Sequence, residues 1–202
     1  FTAGILATTG ALTNLNSLGA GQTVALNGGS WSPSGNISAS NIQLFNDASL
    51  TVADYDASNL TFTSGTLTAT GTLSGLNTLS STAQSVVVDS GTWSPSGSID
   101  AGLATIQNGG TLTVGNLDAT NLTLNAGTLN VTGTLTDLPA ITSGNTVSLS
   151  GAGTLGSTTA LNGGTLNTGT FDATPLTLSA GTLNATGAVS NLPAINSGVT
   201  VD

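Results

Sequence analysis

Lysine, arginine, histidine, glutamate, cysteine and methionine are all absent from this chain of 202 residues, and its nine acidic residues are all aspartates. Each absence closes a class of function. Without a cationic side chain the chain cannot neutralise phosphates, and its formal net charge of −9 repels polyanions. Nucleic acid and anionic membrane surfaces are therefore not expected partners. The missing cysteines remove disulfides and thiolate metal sites. No apolar run approaches the roughly 18 residues that a spanning helix requires, so membrane insertion is not expected either. Charged residues make up only 4% of the chain, against roughly 25% in an average soluble domain. Yet aliphatic residues recur throughout, and a mean hydropathy of +0.28 is too apolar for a disordered segment. The chain opens at Phe1 with no Met, basic segment or cleavage site, and reads as a mature product or a piece of something longer.

What fills the chain is a repeat. "FTAGILATTGALTNLNSL" from Phe1 returns as "FTSGTLTATGTLSGLNTL" from Phe62, "LNAGTLNVTGTLTDLPAI" from Leu124 and "LSAGTLNATGAVSNLPAI" from Leu178, at spacings of 61, 62 and 54. Long repeats thus cover approximately 1–61, 62–123 and 124–177, with a partial copy at 178–202. Within them a shorter phrase recurs: strict apolar alternation, a Gly corner, then Thr or Ser and a large apolar residue. "SVVVDSGTW", "ATIQNGGTL" and "NLTLNAGTL" are examples. Alternation gives one face in and one face out, and Gly supplies the tight corner. From Leu67 through Trp93 and Leu112 to Leu129 the steps are 26, 19 and 17, which reads as three coils per long repeat of about 62 residues. The expected fold is all-β, a single-stranded parallel β-helix or β-solenoid, as one domain of about ten coils across 1–202.

The rare residues fit this scaffold. Trp31 and Trp93 begin near-identical "WSPSG" phrases, 62 positions apart, and occupy a column that elsewhere holds Leu. Three coils at about 4.8 Å would separate the indoles by roughly 14 Å along the axis, too far to sandwich one sugar ring, so both are expected to pack inward. Asp56, Asp118 and Asp172 recur in "YDASN", "LDATN" and "FDATP", which is turn chemistry with the carboxylate capping backbone N–H groups. Asp54 beside Asp56 is a weak Ca²⁺ pattern with no "GGxGxD" series to support it. The sequons at Asn36, Asn59, Asn121, Asn130 and Asn184 are what chance supplies in so Asn- and Thr-rich a chain. Glycosidases need two carboxylates at a set separation, and β-helix lyases need a cation. The expectation is no enzyme, with no catalytic, cofactor-binding or metal residues.

The phrases "GTL", "NAGTLNVTGTL" and "LNGGTL", with Thr, Asn and Gly between them, resemble the secreted parallel β-helix regions of bacterial surface proteins such as autotransporter passengers and filamentous-haemagglutinin-like adhesins. The resemblance covers the whole chain. It implies export, an extracellular or cell-surface address, and a stalk or fibre role.

Taken together these observations point to a structural extracellular β-solenoid module, a rigid spacer or a filament-forming surface protein. Its expected partners are copies of itself, end to end or side by side, or further sequence of the same chain. The alternative is a ligand-binding surface: ice on the outward Thr and Asn residues, or carbohydrate on the Trp loops with Asp89 or Asp100. Against ice, the outer column decays to Asn130, Gly156, Asn167 and Asn184. The loops Ser32, Pro33, Ser34, Gly35 and Ser94, Pro95, Ser96, Gly97 are expected to bulge outward and make lateral contacts. Deleting Ser94 to Gly102 should then leave folding nearly intact. Only 11 residues separate Leu155 from Leu166, so the coil is expected to narrow at Gly156 to Ala160.

Overall fold

Period-two alternation, Gly corners and the near absence of charge leave each short strand one apolar side to bury and no partner of its own coil to bury it against. The computed structural model shows how this is resolved; it describes residues 3–35, 37, 41–100, 102–151 and 153–202. The chain is all-β apart from two three-residue 3₁₀ turns, Ala57–Asn59 and Ala119–Asn121. It divides into two compact units, Phe1–Thr105 and Ile106–Asp202. Each is a parallel β-solenoid in which a strand pairs with its counterpart one coil away.

In the first unit three walls are recognisable. One stacks Gly4–Thr8, Gln22–Asn27, Asn41–Phe45 and Leu60–Phe62. The next stacks Ser30–Trp31, Ser49–Val52, Gly65–Ala69 and Gln84–Asp89. The third stacks Tyr55–Asp56, Thr72–Ser74 and Thr92–Trp93. Inward side chains stand in columns: Leu12, Trp31, Leu50, Leu67 and Val86 form one, and Tyr55, Leu73 and Trp93 another. From Trp31 to Val86 and from Tyr55 to Trp93 these residues are 4% exposed or less. Each fully buried Leu or Val contributes about 1.5–3 kcal/mol of transfer free energy, so the columns are where stability resides.

The second unit repeats the plan. Thr111–Val114, Thr128–Val131, Thr146–Leu149, the second halves of Thr159–Thr168 and Leu176–Ala185, and Val199–Val201 form its longest wall. The first halves of the two ten-residue strands belong to another wall, with Ala140–Thr142. Register shifts between Asn162 and Thr165 mark where these strands turn the corner. A further wall stacks Leu117–Asp118, Thr134–Thr136 and Thr154–Leu155, and Phe171–Asp172 pairs separately with Val189–Ser190.

The coil is shorter than the steps of 26, 19 and 17 suggest, because Leu67 stacks on Val86 and Trp93 stacks on Leu73. Leu12, Trp31, Leu50 and Leu67 stand in four successive coils, three coil steps in all; Leu73, the sequence equivalent of Leu12, lies one wall further on. A long repeat therefore runs three coils plus one wall. Equivalent phrases rotate about the axis, which puts Trp31 and Trp93 on different walls. The same geometry removes the expected narrowing. Leu155 stacks on Leu135 while Leu166 stacks on Val147, so the 11 residues between them cover neighbouring walls and no coil has to close in that length.

Candidate functional site

Both indoles are committed to the core. Trp31 is 2% exposed and Trp93 1%, and each ring N–H donates to a carbonyl of the preceding coil, Trp31 Nε1 to Leu15 O at 2.7 Å and Trp93 Nε1 to Leu76 O at 2.9 Å. Neither ring offers a face for stacking a sugar. Asp100 accepts from the Ser98 hydroxyl at 2.8 Å.

The "WSPSG" segments are walls and not bulges. Gly35 N–H donates to Asn16 O at 2.6 Å and Gly97 N–H to Asn77 O at 2.9 Å, and Leu79 N–H reaches Ser98 O at 3.0 Å. Ile37 and Ile99 are each 3% exposed. Pro95 is buried and Pro33 half-buried, while Ser32, Ser34, Gly35, Ser94, Ser96 and Gly97 face solvent. The segments look irregular in sequence because their backbone bends at Ser34–Gly35 and Ser96–Gly97 and pairs only once or twice with the neighbouring coil. Asn36 lies outside the described residues.

The aspartate column caps turns. Asp56 Oδ1 accepts from the N–H and hydroxyl of Ser58, Asp118 Oδ1 from those of Thr120 at 3.0 and 2.6 Å, and Asp172 Oδ1 from those of Thr174 at 3.0 and 2.7 Å. These bonds hold all three carboxyls below their ordinary pKa: the hydroxyl bond leads for Asp56 and Asp118, the backbone N–H for Asp172. Asn191 Nδ2 adds a third bond to Asp172 at 3.1 Å. Asp54 is used differently, accepting Thr72 N–H from the next coil at 2.6 Å, and its equivalent Asn116 does the same for Thr134 at 2.7 Å. An amide oxygen accepts the same bond as the carboxylate, as expected for a structural acceptor. Among the described residues no group of three or more His, Cys, Asp or Glu is placed to hold a metal.

Sequence reading missed an amide at a recurring corner. Gln84 is 4% exposed; its Oε1 accepts from Ser80 and Ser81 N–H at 2.6 and 3.0 Å and its Nε2 donates to Phe62 O. Asn145, also 4% exposed, accepts Gly127 N–H at 3.2 Å and donates to Leu124 O at 3.0 Å and Thr142 Oγ1 at 2.8 Å. Gln22 stands at the same phrase and accepts Gly19 N–H at 2.5 Å. The signal was present as Gln or Asn before "TV" or "SV", three residues after a Gly, Ser or Thr.

The outward hydroxyls sort into walls of their own. In the first unit Ser30, Ser49, Thr66 and Ser85 are in register. In the second, Thr111, Thr128, Thr146, Thr165, Thr182 and Thr200 form an unbroken column. Thr154 falls outside both, pairing with Thr134, and Thr92 stacks on Thr72. The column beside the six threonines runs Thr113, Asn130, Ser148, Asn167, Asn184, and Gly156 has no place in it. Its members bond along the axis: Asn130 to Thr113 at 3.3 Å, Asn167 to Ser148 at 3.2 Å and Asn184 to Asn167 at 2.9 Å, each through Nδ2.

No protein-family model, curated protein or solved structure matches the chain. Concave features are small. A hollow of about 330 Å³ lies between Leu12–Asn16 and Ser30–Ser32, and one of about 250 Å³ lies where Thr154–Leu155 and Phe171–Asp172 fail to pair.

Proposed function

We propose that the chain is a structural module of an extracellular or cell-surface protein, a β-solenoid spacer able to self-associate into a fibre. One observation carries this reading: both tryptophans and the three recurring aspartates are spent on the scaffold. Both tryptophans fill core columns and bond to the coil below, and three equivalent aspartates cap three equivalent turns. Repetition of one role at every repeat is what a scaffold requires, whereas a reaction needs a single asymmetric constellation. The solvent-facing Ser32, Ser34, Gly35, Ser94, Ser96 and Gly97 of the two "WSPSG" segments serve in this reading as lateral contacts between copies.

Light scattering and electron microscopy of the whole chain test the proposal. Concentration-dependent multimers that are lost on Ser34→Asp with Ser96→Asp support the fibre form. A monodisperse monomer at every concentration removes self-association and leaves the spacer alone, and saccharide turnover by the purified chain would overturn the structural reading.

A further inference from the structure

The six-threonine column of the second unit combines three features. It holds one residue type at every coil from Thr111 to Thr200, in direct register and with no shift after Thr165. Among the described residues, none of the six hydroxyls takes a hydrogen bond within the protein, although the neighbouring Asn and Ser column is bonded along the axis. The strands that carry it present no charged side chain from Thr111 to Val201; the unit's Asp118, Asp137 and Asp172 stand on other strands or turns, and Asp202 follows the last strand.

A merely β-compatible surface needs none of these. Ser, Val or Thr in any mixture would satisfy the pleat, as the first unit's Ser30, Ser49, Thr66 and Ser85 illustrate. An identical γ-methyl and hydroxyl repeated every coil, about 4.8 Å apart, with a second polar row about 6.7 Å away across the strand, makes a two-dimensional array. Its free bonding capacity points outward. Because the second row is internally bonded, its side chains are held in place and do not compete for the first row's hydroxyls. Such an array is matched by a ligand that is itself uncharged, periodic and rich in hydrogen-bond donors and acceptors.

We propose that this face binds ordered water at the surface of ice. The threonine hydroxyls enter the water lattice and the γ-methyls seat between its waters, with the coil spacing setting the repeat. Ice binding on this face is additional to the structural role and does not depend on self-association.

The test is the gap between melting and crystal-growth temperatures of the full 202-residue chain, measured alongside inhibition of ice recrystallisation. The expected result is a gap that widens with protein concentration. Thr146→Tyr combined with Thr165→Tyr, which keeps a β-forming side chain but breaks the array, should abolish it. Thr123→Tyr, on the exposed side of the strand Leu122–Asn125, should leave it intact. Circular dichroism melting curves of all variants verify that the fold is retained, and Thr146→Ser, which keeps the hydroxyl, provides a folded ladder lacking one methyl. A wild-type chain with neither a gap nor recrystallisation inhibition overturns the proposal. So does equal loss in Thr123→Tyr. Retention on crystalline cellulose, or self-association through the column, with no freezing gap would assign the face to another occupant and equally overturn it.

Discussion

Tyr55 places a phenolic hydroxyl inside the first unit with no hydrogen-bond partner among the described residues. Burial, with the Asp56 carboxylate adding to it, pushes its pKa above the ordinary tyrosine value, so the group stays neutral. Its neighbours in the column are Leu73 and Trp93, and the ring suits the space while the oxygen does not. Removing an unsatisfied buried hydroxyl recovers about 1 kcal/mol or more. Tyr55→Phe should therefore raise the thermal midpoint, and a lower midpoint in melting experiments would show that the hydroxyl is bonded. Asp118 gives a prediction of definite sign in pH. Its folded pKa lies below the unfolded value because the ionised form accepts from Thr120. The stability it provides is present above the unfolded carboxylate pKa and is lost as pH falls through the depressed folded value. Asp118→Asn should thus lower the midpoint at about pH 7 and match wild type at about pH 2, where the carboxylate is protonated in both states. A difference that persists in acid would trace the effect to packing.

At the scale of elements, corners hold the coil as much as strands do. Asn145 satisfies one donor and two acceptors from an interior position, and Asn145→Ala would leave Gly127 N–H and Leu124 O without it. The expected cost is about 1–3 kcal/mol for each buried group left unpaired, read from urea unfolding, whereas loss of a surface turn residue would cost a few tenths. Gly65 has φ +114°, and a Cβ there would run into the Ala48 carbonyl of the coil below, so Gly65→Ala strains both backbone and stacking. Deleting Ser94 to Gly102 removes Pro95 and Ile99 from the interior and the Gly97 bond to Asn77. The expected outcome is loss of cooperative unfolding by circular dichroism; a sharp native-like transition would restore the idea of a dispensable bulge. The strands, the inward columns and the capping aspartates were legible in sequence because alternation and turn chemistry are local. The wall to which each strand belongs was not. Leu67 and Trp93 share the phrase "SGT" before them, yet their partners are Val86 and Leu73. A repeat of three coils plus one wall hides that rotation from any alignment that assumes whole coils. The interior amides Gln84 and Asn145 were overlooked for a related reason, since polar residues near Gly read as solvent-facing turns.

At the scale of the whole molecule, nine aspartates are balanced by no Lys, Arg or His. No side-chain ion pair can form anywhere in the chain, so every interaction between charged side chains is a repulsion, and folding brings these charges closer than the extended chain holds them. Sodium chloride has only this repulsion to screen: the Debye length falls from about 30 Å at 0.01 M to about 10 Å at 0.1 M and about 3 Å at 1 M. In a chain with ion pairs the same addition weakens attractions as well, and the net sign varies. Here the sign is fixed, and the thermal midpoint should rise steadily as salt is raised from about 0.01 to 0.5 M, most steeply at the low end where screening changes fastest. Sodium sulfate added at matched ionic strength separates screening from surface exclusion, which strengthens burial in its own right. If the midpoint stays level in chloride and rises only in sulfate, the carboxylates stand too far apart to repel, and stability depends on the apolar columns and interior amides alone.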